Sequence, residues 1–391
     1  MTIPLHPLLK RSLWITVAPL IVYTVFIGLA AIPIVQKHLL YAHKINSLWW
    51  TDTNAPEAWG FAKNQVTPFG LKTSDGETIY AWHILPLPLY LQHEATVATQ
   101  DLGFIQDFTK TESFRLLKSD SEARLILNFH GNAGHLAQTT RPDNYHTLTD
   151  TSSYHVVTID YRGFGHSTGV PSEEGLISDA AAVVEWAINV VGIPPSRIVL
   201  LGQSLGTAVA SGVAERYALK GVEFAGIVLV AGFSDLATML SGYRFGGLIP
   251  ALGPFAAWPA FQRYVDRFLV DKWHSADRLA NIVRHTKNRL RLNLIHAKND
   301  QDIPWIEDNK LFRAAVNETV GIWDDEEFEA WKELRTLRTS DDAFVTTWKA
   351  SPDIIVRQEV FPFGYHNEIL GYAPVVLAIM RSFDLEGTSY N

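Results

Sequence analysis

The chain contains no cysteine. A disulfide framework and a Cys₄ zinc site are therefore excluded, and nothing follows about the redox compartment. Charge is sparse as well, with 19% of the 391 residues charged and a net charge of −8. That acidic balance disfavours nucleic acid as a partner. There is no H-E-x-x-H, no G-x-x-x-x-G-K-[ST] and no clustered metal-ligand spacing, so neither a metal nor a nucleotide cofactor is expected. No internal repeat or low-complexity tract interrupts the chain. What the chain has is apolar material. It is 47% hydrophobic, which is incompatible with a disordered polymer and enough to bury a substantial core in one large domain or two ordinary ones.

One stretch lacks charge altogether. From Leu13 to Val35 the sequence reads LWITVAPLIVYTVFIGLAAIPIV. As a helix it would rise ~35 Å, enough to cross a hydrocarbon core of ~30 Å. A cleaved signal peptide would have a shorter apolar centre, so a retained single-pass anchor is expected over residues 13–35 within a segment 1–36. Lys10 and Arg11 precede the span, and Lys37 and Lys44 follow it. That balance leaves the orientation open. A sequon, Asn317-Glu318-Thr319, would permit glycosylation if the body faces a lumen.

Residues 37–65 read as an aromatic connector, with Trp49, Trp50, Trp59 and Phe61. A hairpin follows: a strand ending at Lys72, the turn Ser74-Asp75-Gly76, and a strand from Thr78 to Leu85. Residues 86–120 read as a loop insertion. Strands are then expected at Arg124–Phe129, His155–Asp160, Ile198–Leu201, Gly226–Val230 and Leu290–His296. Most are short continuous apolar runs, as in strands buried on both faces of a parallel sheet. Between them Glu173–Val191 carries helical periodicity with Ser172 as N-cap, and Gly206–Leu219 reads as a second helix. The fold class is α/β, doubly wound, over residues 66–391. Two stretches break the alternation. Residues 235–289 read as a cap insertion containing the apolar run 245–265. Residues 317–352, with Asp324-Asp325-Glu326-Glu327, read as a solvated surface insertion.

Gly202-Gln203-Ser204-Leu205-Gly206 follows the apolar run Ile198–Leu201 directly. That is the strand-to-helix setting in which a tight turn exposes a nucleophilic serine. A Cβ two residues before or after it would collide with the neighbouring elements. A nucleophile needs a base, a group that orients the base, and oxyanion donors. The chain order for such an elbow is Ser, then Asp or Glu, then His. Of 14 histidines, the one after residue 300 is His366. Asp300, in Lys298-Asn299-Asp300-Gln301-Asp302, is the expected acid, with Asp302 and Asp235 as competitors. The N–H groups of Leu205 and Asn132 are the expected oxyanion donors. Asn132 lies in His130-Gly131-Asn132-Ala133-Gly134, where His130 reads as a loop-orienting residue rather than a base.

HGNAG (130–134), DYRGFGHSTG (160–169), PSEEG…DA (171–180), GQSLGT (202–207), HAKNDQDIP (296–304) and YHNE (365–368) occur together and in order. This set resembles the membrane-anchored α/β-hydrolase-domain lipases, whose best-known type hydrolyses monoacylglycerols and lysophosphatidylserine. The similarity covers most of residues 66–300 and returns near 360. It implies an α/β-hydrolase fold, Ser204, Asp300 and His366 as a triad, and a lipid ester as substrate. It also implies an endoplasmic-reticulum membrane with a lumenal or extracellular body. Segments 86–120 and 310–355 match no pattern of that family. The same triad would serve a protein acyl-thioesterase or a serine peptidase, and a hydrolase-fold scaffold without catalysis is the reading of a different class.

Overall fold

The computed structural model describes residues 7–245, 249–250, 258–340 and 342–383. Its strands are β1 (Val66–Lys72), β2 (Thr78–Ile84), β3 (Arg124–Phe129), β4 (Tyr154–Ile159), β5 (Ile198–Gln203), β6 (Gly226–Val230), β7 (Arg244–Phe245), β8 (Ile249–Pro250), β9 (Leu290–Ala297), β10 (Thr336–Ser340), β11 (Ala343–Ala350) and β12 (Ile354–Phe361). Apart from the β7–β8 pair, they form one sheet in the order β1-β2-β4-β3-β5-β6-β9-β12-β11-β10. From β4 to β12 the pairing is parallel. The two margins, β1-β2-β4 and β12-β11-β10, are antiparallel. All residues of β4, β5, β6 and β9 are buried, because helices cover both faces.

The strand order decides where a site can form. The chain moves outward from β3 to β4, then returns to place β5 on the other side of β3. The loops after β3 and β5 therefore leave the same edge in opposite directions and open a crevice between them. His130–Gly134 and the Ser204 turn are those two loops.

The expected strands appear within one or two residues of their predicted limits. Ser172 caps the helix Glu173–Glu185, its Oγ accepting from the Gly175 N–H at 3.2 Å. That helix runs on to Val191 as a π-helical turn. Three expectations need correction. Residues 86–120 are not an unstructured loop insertion, because they hold the helices Leu87–Val97 and Glu112–Ser119. Pro86 and Pro88 are compatible with the first of these, because a helix tolerates proline in its first turn, where no intrahelical N–H partner is lost. Residues 317–352 are not merely a solvated insertion. After the acidic helix Asp325–Glu333 they supply β10 and β11, which extend the main sheet. Phe328 and Lys332 of that helix are buried.

The third correction concerns the amino-terminal segment. A straight span over 13–35 does not form. The helix Pro7–Ala30 is followed, after a break, by the helix Pro33–Tyr41. Pro33 drives Ile32 out of the helical region, to φ −78° and ψ 123°. Among the described residues no single helix is long and apolar enough to cross a membrane. Val17–Ala30 and Pro33–Tyr41 meet that test as a pair bent by 99°. The second helix runs across the expected 36/37 boundary and is built into the body. Tyr41 is fully buried, and its hydroxyl donates to Asp271 Oδ2 at 2.8 Å. Of the cap, residues 246–248 and 251–257, the centre of the apolar run 245–265, lie outside the described residues.

One buried charge cluster ties the β4 loop to the helix behind it. Arg162 donates to Asp179 Oδ1 through Nε and Nη2 at 2.9 and 2.8 Å, and its backbone N–H donates to Asp179 Oδ2. Nη1 reaches the exposed Asp75 in the β1–β2 turn at 2.7 Å. Removing Asp179 leaves a nearly buried guanidinium with the exposed Asp75 as its remaining carboxylate. Asp179→Ala should therefore lower the unfolding free energy by about 3 kcal/mol, read as a shifted urea midpoint at constant slope.

Candidate active site

The turn after β5 holds Ser204 at φ 53° and ψ −121°, a region side chains other than glycine's rarely enter. Its neighbours leave no room for an alternative. A Cβ on Gly202 would stand 2.3 Å from Gly206 O, and one on Gly206 would stand 1.9 Å from Phe129 O. The Ser204 N–H donates to Val230 O at 3.0 Å, which fixes the strained residue to β6. Leu205 begins the helix Leu205–Ala218, so no carbonyl of that helix can accept its N–H.

His366 reaches this turn from the loop after β12. Its Nε2 lies 2.9 Å from Ser204 Oγ, and its Nδ1 lies 2.7 Å from Asp300 Oδ2. A carboxylate only accepts, so Nδ1 carries the proton and Nε2 is left to accept from the serine hydroxyl. The structure thus brings Ser204, His366 and Asp300 into one hydrogen-bonded series. Asp302 does not join it. It lines the cavity beside Ser204, and burial raises its carboxyl pKa. Asp235 is elsewhere in role as well, capping the helix Leu236–Gly242 by accepting from Thr238 N at 2.8 Å. Two ties set the His366 loop. Gln203 Nε2 donates to His366 O at 3.0 Å, and Asn299 Oδ1 accepts from Tyr365 N at 2.9 Å.

Asp300 is buried and doubly anchored on its other oxygen. Oδ1 accepts from the N–H groups of Asp302 and Ile303, both at 2.9 Å. Behind it stands His296, fully buried at the end of β9, which pattern reading did not single out. Its Nε2 is 3.0 Å from Ile303 O and 3.3 Å from Asp300 Oδ2, and its Nδ1 is 3.9 Å from Asp308 Oδ1. Burial alone would lower the imidazole pKa, but the two carboxylates outweigh it and raise it to about 10. Asp300 is shifted the other way. Burial favours its neutral form, and His296 and His366 together hold it well below the usual carboxylate range.

Asn132 and Leu205 line a cavity of about 70 Å³ together with Ser204 and His366. A Cβ on Gly131 would stand 3.3 Å from Ser204 Cβ, so the loop after β3 lies against the nucleophile. His130 serves that loop. It is buried, its Nδ1 lies 2.6 Å from Gly131 O, and its carbonyl accepts from Tyr161 OH at 2.8 Å. The residue that organises the loop was invisible to motif reading. Arg141 Nη1 donates to Ala133 O and His135 O at 3.1 and 2.6 Å, and Nη2 to Gly131 O and Asn132 O at 3.1 and 2.9 Å. Four carbonyls are gathered on one guanidinium, which fixes the peptide planes of the whole loop. Its sole sequence trace is an Arg-Pro pair opening the helix Arg141–Thr149. Among the described residues no group of His, Asp or Glu is arranged to hold a metal ion.

Two outcomes are expected of these geometries. Arg141→Met should lower kcat by about 10²-fold with KM little changed, and Arg141→Lys should not restore it, because an ammonium lacks the planar fork. Steady-state kinetics on the three proteins decides this. The second concerns pH. The folded-state pKa of His296 lies above its unfolded value, so the stabilisation it gives is complete below about pH 6.5 and lost as pH rises towards about 10. The thermal midpoint of the wild type should therefore fall over that window, and His296→Gln should flatten the fall. An equally steep alkaline limb in the variant would show that His296 is not the group responsible.

The family model for the alpha/beta hydrolase fold matches residues 124–340, more than half of the chain. Lysophosphatidylserine lipase ABHD12 of Danio rerio is 28% identical over 285 residues, covering 73% of this chain and 67% of its own length. The protein of that name from Gallus gallus is 26% identical over 313 residues, covering 78% and 75%. Protein ABHD12B of Homo sapiens is 29% identical over 265 residues, covering 66% and 60%. Among solved structures, an alpha-beta hydrolase from Vibrio vulnificus superposes with a TM-score of 0.54 at 13% identity, over 89% of this chain and 92% of that one. That likeness bears on the fold alone. A sheet with its elbow after β5 and a family model spanning β3 to β10 agree: the chain belongs to the α/β-hydrolase fold family and is a carboxylic ester hydrolase of that class.

Proposed function

We propose that the protein is a membrane-anchored lipase that cleaves the carboxylic ester of a lipid, a lysophospholipid or a monoacylglycerol, through an acyl-enzyme on Ser204. The observation that carries this reading is the unbroken series Ser204 Oγ, His366 Nε2, His366 Nδ1, Asp300 Oδ2, with contacts of 2.9 and 2.7 Å. The relatives named as lysophosphatidylserine lipases support the lipid substrate. The apolar, bent pair of amino-terminal helices supports the anchor. From Trp14 to Ala30 the exposed side chains of the first helix that are described are apolar apart from Thr24, whose hydroxyl donates to Leu20 O at 2.8 Å. Trp14, Ile15, Val22 and Val25 are among them, and such a surface calls for a lipid cover. Following the family resemblance, we infer the endoplasmic-reticulum membrane with a lumenal or extracellular body.

In this mechanism Ser204 Oγ bonds to the acyl carbon as its proton passes to His366 Nε2. The carbonyl oxygen becomes an oxyanion, held by the N–H groups of Leu205 and Asn132. Collapse breaks the carbon–oxygen bond to the leaving alcohol, which takes the proton from His366. Water then attacks the acyl-enzyme, losing a proton to His366, and the fatty acid leaves as Ser204 regains its hydrogen. Asp300 keeps Nδ1 protonated and stabilises the imidazolium. No metal or nucleotide enters any step.

Ser204→Ala should lower kcat on lysophospholipid and monoacylglycerol by about 10⁶-fold with an unchanged thermal midpoint, and Asp300→Asn by about 10⁴-fold with a lowered one, because buried His296 loses one of its two carboxylates. Ester turnover surviving in folded Ser204→Ala protein would sink the mechanism.

A further inference from the structure

The small cavity at Ser204 does not end at the catalytic groups. A second cavity, of about 170 Å³, adjoins it, and Leu40, Asn132, Met239 and Tyr243 line both. The second cavity lies between the amino-terminal helices and the body. Phe26, Ile27, Ala30 and Leu39 face it from one side, and Leu236, Leu240 and Leu269 from the other. The amide of Gln36 also borders it, but both its ends are engaged by backbone. Nε2 donates to Phe268 O at 2.6 Å, and Oε1 accepts from Val270 N at 3.1 Å. These bonds clamp the second helix to the body and leave the space between them apolar.

The same helices are joined to the loop beside Ser204. Asn132 Nδ2 donates to Leu40 O at 3.2 Å, and the Ala133 N–H donates to Tyr41 O at 2.9 Å. On the first helix, Phe26, Ile27 and Ala30 are half-buried towards the cavity, while Val22, Val25 and Leu29 on other faces are exposed. One helix thus separates an apolar interior channel from an apolar outer surface.

We propose that the amino-terminal helix pair is one wall of the acyl-chain site. The fatty-acyl chain of the ester runs from Ser204 past Leu40 and Met239 into the groove between Ile27 and Leu240. This rests on Ser204 being the nucleophile of a lipid ester hydrolase. The groove accepts a flexible hydrocarbon chain because its lining offers apolar atoms on both sides and it opens onto the nucleophile. Each methylene buried there is worth about fourfold in affinity. The cost of ordering the chain is lowered because the walls are already in place.

The test uses the full-length protein in detergent micelles and two fluorophosphonates, one with an ethyl chain and one with a dodecyl chain. In each, the Ser204 oxygen bonds to phosphorus as its proton passes to His366 Nε2, and the P–F bond breaks with loss of fluoride. The wild type should label at least 10-fold faster with the dodecyl probe. Ala30→Trp and Leu240→Trp, which fill the groove from opposite walls, should bring that ratio close to one. Val22→Trp, on the exposed face of the first helix, should keep the wild-type ratio. Where tryptophan lowers the thermal midpoint, Leu240→Phe provides a milder intrusion. A wild-type ratio in folded Ala30→Trp and Leu240→Trp overturns the proposal, as does a collapse of the ratio in Val22→Trp. Failure of both probes to label Ser204 in the wild type would instead remove the nucleophile, and with it the reaction proposed above.

Discussion

The left-handed backbone at Ser204 is the constraint around which the molecule is arranged. A residue with a side chain keeps that conformation only when its surroundings allow nothing else. Here the surroundings are the start of the helix Leu205–Ala218 and the end of β3, which press on two glycines that cannot be larger, and the Val230 carbonyl, which holds the Ser204 N–H. The close approach of Phe129 to Gly206 also brings the loop after β3 against the serine. One steric arrangement therefore exposes the nucleophile and sets the donors beside it.

The partner side of the site depends on register. β9 and β12 are parallel neighbours paired from Leu290 with Ile354 to Ala297 with Phe361, so the loops that follow them leave the sheet side by side. Asp300 and His366, 66 positions apart in the chain, meet because of that pairing. Asn299 and Gln203 then hold the His366 loop from both flanks. The carboxylate is stiffened in turn by two backbone N–H groups and the buried His296.

What could be read in the sequence was what local chemistry compels. The elbow announces itself because its glycines are sterically obligatory within five residues, and chain order singled out His366 among 14 histidines. The buried parallel strands were legible because they are continuous apolar runs. Arg141 was hidden because it binds carbonyls, and a carbonyl cradle leaves no residue-type signature. His296 was hidden because its partners come from a loop and a helix that only the folded chain assembles. β10 and β11 lie at a sheet margin, with mixed polar faces and an acidic helix before them, so their pattern resembles a solvated segment. The bend before Pro33 leaves no clear mark in the sequence, because a proline is also tolerated within a membrane span.

The way the second amino-terminal helix is held has a consequence for how the protein would come apart. Gln36, Leu40 and Tyr41 bind the body through bonds to Phe268, Val270, Asp271, Asn132 and Ala133, none of which depends on chain continuity. The stretch from Ala42 to Ala55 is therefore not a tether whose length sets the distance between two independent parts. A protease nick within it would leave both fragments associated, in the manner of a noncovalent two-chain protein. Shedding the body would require the helix to be pulled from its seat, breaking the buried Tyr41 contact and releasing the loop beside the serine in the same event.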